Sequence, residues 1–280
     1  GLTLGKIART RVEGDLEQRG WYSLHEVSDN TGDRIIVGTF GVWHGNDNGA
    51  QKVALKRGAV SKEQSAAIRK RIADDRRRAA ASRERKAAQA AARATAVWKS
   101  ANRWGEAEYL EQKGIKAHGV RFTESGSIVI PMLDASANVH GLQFVLPKDH
   151  PRRKKTGRNK EYWPAGLRKQ GHWFQIGAIR DFCLVCEGYA TGASLHEATS
   201  GMPVVVAFDA NNLRHVCEAV QKAYKKIRIL ICADDDYLTD GNPGEAAAET
   251  AALAVSGAWV SPVFADDRDG KKFTDFNDLQ

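Results

Sequence analysis

The alternation of apolar and polar positions divides the 280 residues into four stretches with different structural demands. In residues 1–60, GWYSLHEV, RIIVGTFGVWHG and QKVAL alternate in strand fashion, and the turn-prone DNTGD and GNDNG separate them. This pattern predicts a small β-rich unit. Residues 61–103 contain no Gly or Pro and are dominated by Ala, Arg, Lys, Glu and Gln, all good helix formers. Ser61 and Gln64 make a capping-box start. A continuous helix over this stretch would span roughly 65 Å. Its apolar spacing is poor between Arg76 and Arg93, where alanines are the only apolar residues.

Residues 104–180 return to mixed α+β structure. WGEAEYLEQKGI reads as a helix stopped by Gly114, and SIVIPMLD and VHGLQFVL read as strands joined through Ala135–Asn138. KDHPRRKKTGRNKEYWPAG reads as a basic loop ending in aromatics. From residue 181 the runs FCLVCE, PVVVAF, IRILICAD and AWVSPVFA alternate with helical stretches at Ala190–Thr199, Leu213–Lys225 and Gly244–Ser256. Runs such as VVVAF and ILICA are apolar on both faces, as parallel strands covered by helices require. The fold class expected for residues 181–280 is therefore α/β, with an open, mostly parallel sheet. Length allows two compact domains, or one large core with appendages.

Charge sharpens this division. The chain carries +8 overall, yet residues 1–180 hold 34 basic against 18 acidic residues, and residues 181–280 hold 8 against 16. A basic front suits a polyanion and an acidic back suits cations. The 61–103 helix alone carries 13 Lys or Arg and 4 acids. Two readings of it stand side by side: a solvated linker, or an arm along a phosphate backbone through Arg69, Lys70, Arg76, Arg77, Arg78, Arg83, Arg85 and Lys86. No apolar run approaches membrane-spanning length, and the polar start is no signal peptide. Gly1 in place of Met suggests a processed product, a tag scar or an excised fragment. Cys183, Cys186, Cys217 and Cys232 lie in or beside apolar runs, as reduced structural thiols of a cytoplasmic protein would. Cys183 and Cys186 lack a second ligand pair at finger-like spacing, so no zinc is expected. His44, His118, His140 and His172 are scattered singly and are assigned no ligand role.

Carboxylates carry the chemistry. Ligands of open parallel sheets bind beyond the carboxyl ends of the strands. Glu187 ends the first run, with Gly188 permitting a tight turn, and Asp234 and Asp236 end the third. Being two apart, these aspartates share one face of an extended segment, with Asp235 turned away. Asp275 and Asp278 follow the last run. Such a cluster opposes its own ionisation unless a hard cation joins it. Oxygen-only donors point to Mg²⁺ or Mn²⁺, with room for two ions.

The segments CEGYATGASL (186–195), VVVAFDANNL (204–213), ICADDDY (231–237), NPGEAAAETAA (242–252) and DFNDL (275–279) resemble the Toprim domain. That domain is shared by DnaG-type primases, topoisomerases and some nucleases, and the likeness is greatest to plasmid and phage primases, the TraC-like and primase–helicase group. The resemblance implies joining of ribonucleoside triphosphates on a single-stranded DNA template. It gives Glu187 an acid–base role near the metals and makes Asp234, Asp236, Asp278 and Asp275 metal ligands. SIVIPMLDASANVHGLQFV and NKEYWPAG resemble the segment just before Toprim in DnaG-type primases. By that likeness Lys160, assisted by Arg158, would face template or nucleotide, within a basic stretch that includes Lys154 and Lys155. Trp163 fits either base stacking or a core plug.

Some features depart from that family. No zinc-ribbon module precedes the catalytic part, Ala247 stands where relatives often carry a basic residue, and no Walker-type phosphate loop occurs. The sequence stops after DFNDLQ, where many relatives continue into a helicase. A primase fragment or a small stand-alone primase is therefore expected, with a helicase, fused or separate, as a partner. Two other readings use the same residues: a Toprim nuclease or topoisomerase, and a single-strand-binding replication factor without turnover.

Overall fold

A computed structural model describes residues 2–13, 18–28, 32–42, 51–53, 62–265, 268 and 271–279. Turn residues 29–31 and 45–49, the capping residue Ser61, His44 and the end of QKVAL lie outside the described residues. The chain forms two units, Gly1–Arg85 and Lys86–Gln280. Among the described residues, no helix is long and apolar enough to cross a membrane.

In the first unit, β1 (Ile7–Thr10), β2 (Gly20–Ser28), β3 (Arg34–Val42) and β4 (Gln51–Lys52) form an antiparallel sheet in sequence order. A Cβ on Gly38 would lie 2.1 Å from the Ser23 carbonyl oxygen, so only glycine fits there. Helix α1 (Lys62–Ser100) begins in this unit. Its Asp75 carboxylate lies 3.3 Å from Nδ1 of the buried His25 on β2.

The second unit is layered. The last turns of α1 lay Ala90 and Ala94, both buried, and Val97 and Trp98 on one side of the helix. Ala94, Val97 and Trp98 pack against Val129, Leu142 and Trp163 of an antiparallel sheet. That sheet is β5 (Arg121–Phe122), β6 (Ile128–Leu133), β7 (Val139–Val145) and β8 (Lys160–Trp163), in that order. Helix α2 (Glu108–Lys113) precedes it and is closed by Gly114 at φ 63°. Trp163 is a packing residue, edge-on to Phe144 with the Arg93 guanidinium 5.1 Å over its ring. The stretch read as a basic loop instead contains α3 (Pro151–Thr156) and the edge strand β8. Pro151 is set for a first helical turn, His150 Nδ1 accepts from the Arg152 amide at 3.2 Å, and Gly157 at φ 70° ends the helix.

The opposite face of this sheet, through Ile128, Ile130, Met132 and Val145, joins the core beneath a five-stranded sheet. Its order is β13-β12-β10-β11-β9: β13 (Ala258–Val260), β12 (Arg228–Cys232), β10 (Phe182–Cys186), β11 (Val204–Val206) and β9 (Phe174–Ile176). All neighbours are parallel except β9, which runs antiparallel to β11. The mostly parallel α/β sheet expected from the sequence is thus present. The three-residue β9 was not anticipated, because it is too short to show a period. Helix α4 (Tyr189–Ala198) covers the face bearing Leu184, Cys186 and Cys232. Helices α5 (Ala210–Ala223) and α6 (Pro243–Val255) cover the face bearing Cys183, Val185 and Ile231. Cys183 and Cys186 therefore pack on opposite faces of β10 and do not converge on a common ion. All four cysteines are free and buried.

Candidate active site

Strands β10 and β12 are neighbours, but the chain leaves them in opposite directions, β10 through α4 to β11 and β12 through α6 to β13. A crevice opens between such strand ends. Glu187 follows β10 and Asp234 follows β12 by two residues, and their strands are in register at Cys186 and Cys232. Sheet topology therefore brings together side chains that lie far apart in sequence.

Both line a cavity of about 280 Å³, together with Asp209, Asp275, Lys113, Lys160, Tyr109, Asn159 and Thr191. Glu187 Oε1, Asp234 Oδ1 and Asp209 Oδ1 are buried, and none has a hydrogen-bond partner among the described residues. Burial raises the Glu187 pKa to about 7, with a further push from the Asp236 charge. The Ala210 amide, which donates to Glu187, and the Lys160 ammonium pull the other way. Asp234 is raised to about 8, first by burial and then by Glu187, Asp275 and Asp236. Such elevation is what like charges produce on one another where burial has removed water.

Asp236 borders the group without lining the cavity. Its amide donates to Asn242 Oδ1 at 2.8 Å, and its carboxylate faces Gly244 at the start of α6. The partial positive charge of a helix N-terminus favours an anion there. Asp235 turns away: Asn242 Nδ2 donates to it at 2.7 Å, and Arg268 pairs with its other oxygen. Asp275 reaches the cavity while Asp278 is engaged elsewhere. Asp278 accepts from the Thr274 amide at 2.9 Å and pairs with Lys113 at 3.5 Å, which fixes the terminal turn.

Lys160 starts β8 with part of its side chain in solvent, and its ammonium lies 4.0 Å from where a Cβ on Gly188 would stand. Lost hydration lowers its pKa, while Asp234, Asp275 and Glu187 raise it. Arg158, Lys154 and Lys155 are exposed and are not among the residues lining the cavity. Arg69, Lys70, Arg76, Arg77, Arg78, Arg83, Arg85 and Lys86 are all exposed on α1. Within the helix Arg78 pairs with Asp75 at 2.8 Å and Arg77 with Asp74 at 3.9 Å. Asp209, Tyr109, Lys113 and Asn159 were not singled out from sequence. For Asp209 the signal was present, since it closely follows an apolar run of the same sheet. The other three carried none.

Among the described residues, no group of three or more His, Cys, Asp or Glu side chains stands close enough together to hold a metal ion. The donors nonetheless suit a hard cation: all are oxygens, two candidate ligands present buried oxygens without partners, and their charges repel. Glu187 and Asp234, bordered by Asp236 and Asp275, are the residues that would hold it.

Residues 182–280 match the Toprim domain family over their whole length. The C-terminal part of this chain is thus similar to a Toprim domain. Two curated relatives, both named DNA primase TraC, from Escherichia coli, are 33% identical over 168 residues, covering 56% of this chain. The chain spans 15% and 11% of the length of those two relatives. Similar solved structures include the primase fragment of the bacteriophage T7 primase-helicase protein, with TM-score 0.43, 16% identity and coverage of 64% of this chain and 74% of that one. Another is a DnaG primase catalytic domain bound to ssDNA, with TM-score 0.43, 14% identity and coverage of 68% and 77%.

Proposed function

We propose that this chain is the catalytic part of a DNA primase, which builds RNA primers on single-stranded DNA by joining ribonucleoside triphosphates. The observation that carries the reading is the cavity at the β10–β12 strand ends of the Toprim domain, where Glu187 and Asp234 offer buried, unpartnered oxygens beside Lys160. The 33% identity to the TraC primases supports it. Mg²⁺ or Mn²⁺, two ions in the full reaction, would supply Lewis-acid polarisation and charge neutralisation at the phosphates.

The chain's own residues do the rest. Glu187, with a pKa near neutrality, is suited to take the proton of the attacking 3′-hydroxyl. Lys160 holds template or nucleotide phosphate at the Glu187–Gly188 turn. Lys154, Lys155 and Arg158 offer exposed positive charge to the template backbone. A replicative helicase, fused or separate, is the natural partner of such a unit.

Incubation with single-stranded DNA, labelled nucleotides and Mg²⁺ or Mn²⁺ should yield short template-dependent RNA. Asp234→Ala combined with Asp236→Ala should reduce the yield to background with the fold retained by circular dichroism. Nicked DNA without oligonucleotide would make the protein a Toprim nuclease instead. Strand binding without metal-dependent chemistry would make it a binding factor.

A further inference from the structure

Asp209 lines the same cavity as Glu187 and Asp234, but from the turn between β11 and α5, with β11 on the other side of β10 from β12. Several contacts fix its direction. Its Oδ2 pairs with the Lys169 ammonium and accepts from the Tyr162 hydroxyl at 3.3 Å. That hydroxyl also donates to the Phe208 carbonyl at 3.1 Å. Phe208 is held at φ 76°, a left-handed conformation costly for an aromatic residue. Asn212, 1% exposed, donates to the carbonyls of Ala207, His172 and Lys169 and accepts from the Gly171 amide. The β11–α5 turn is thereby tied to the Lys169–His172 segment at several points. Yet Asp209 Oδ1 is buried with no hydrogen-bond partner among the described residues. One oxygen is anchored, and the other is buried without a partner on a residue that lines the carboxylate cavity.

We infer that Asp209 is a further donor of the cation site, contributing Oδ1 to a divalent ion, with Lys169 and Tyr162 as the positioning residues that aim it. This inference rests on the metal reading of the Toprim cavity and adds a third strand to it. An ammonium on Oδ2 offsets part of the charge that Oδ1 would offer a metal. Removing Lys169 should therefore strengthen cation binding, and if that gain acts through Asp209 it should vanish when Asp209 is replaced as well.

The test is Mn²⁺ binding to the full chain without DNA or nucleotide, read from the electron paramagnetic resonance signal of free Mn²⁺. Asp209→Asn keeps the shape and should weaken binding roughly ten-fold. Lys169→Met should tighten it roughly two- to five-fold by unmasking the carboxylate. Asp234→Asn is the reference. Impaired binding in Asp234→Asn with no change in Asp209→Asn overturns this inference and leaves the metal reading standing. Unchanged binding in both overturns the two together. If Asp209→Asn fails to fold, the double variant Asp209→Asn/Lys169→Met, which removes both charges of the pair, takes its place: binding weaker than in Lys169→Met supports the donor role, and binding equal to it ends it.

Discussion

At Gly244 the difference between a hydrogen atom and a methyl group decides the path of the Asp234–Asp236 segment. A Cβ there would stand 2.3 Å from the Asp234 carbonyl oxygen and 3.2 Å from Asp236 Oδ2. Backbone cannot yield as a flexible side chain does, so Gly244→Ala should destabilise the fold by about 1–3 kcal/mol. Urea unfolding measures that loss, and primer synthesis should fall with it; an unchanged midpoint would mean the segment is free to shift. His172 carries a different sensitivity. It is 9% exposed, its Nδ1 has no hydrogen-bond partner among the described residues, and the His140 ring stacks on it at 4.0 Å. Burial, then His140 and Arg168, lowers its pKa to about 4, and Asp134, which pairs with His140, opposes the shift. The unfolded chain therefore takes up this proton at higher pH than the folded one. Stability should be level above pH 6.5 and decline as pH falls toward 4, by up to roughly 3 kcal/mol. In His172→Gln that decline should shrink. Equal acid slopes in the two proteins would show that the ring is not held neutral.

Among the elements, α1 changes character along its length. Its early turns display Arg76, Arg77 and Arg78 to solvent, and its late turns bury Ala90 and Ala94. If the early turns grip a phosphate backbone, reversing those three charges should weaken single-strand binding and flatten its salt dependence by about 0.7 for each phosphate no longer neutralised. Arg77 and Arg78 are already paired within the helix, so the full change is not expected from them. An unaltered slope would make the helix a linker. The alanines show where sequence reading falls short. Spaced four apart they form a packing stripe that admits a sheet closely, yet alanine carries too little hydrophobic weight to reveal a face. The helices of residues 181–280 were legible to within one to three residues, because strands apolar on both faces bracket them. Strands β8 and β9 were not, since an edge strand of three or four residues has only one or two alternations to show.

For the whole molecule, the candidate site was legible where a topological rule links order to place. Glu187 and Asp234 were found because ligands gather at strand ends, and Asp235 was set aside by alternation alone. Where a carboxylate's use depends on a distant partner, order along the chain says nothing. Lys169 anchors Asp209 from 40 residues away, and Lys113 draws Asp278 into an ion pair across most of the second unit. The acidic surplus of residues 181–280 pointed to cations, yet it could not distinguish carboxylates open to the cavity from those already paired.

Strand order has one more consequence, for how the sheet comes into being. β10 pairs laterally with β12 only after α4, β11 and α5 have intervened in the chain. A nascent polypeptide emerging amino-end first thus presents Glu187 on a bare sheet margin, before Asp234 and Asp236 have been made. Arrival of β12 seals that margin and brings Asp234 beside Glu187. If the cavity takes a divalent ion as proposed, capture at that moment would favour finished sheets over partial ones by mass action and make maturation responsive to ion supply.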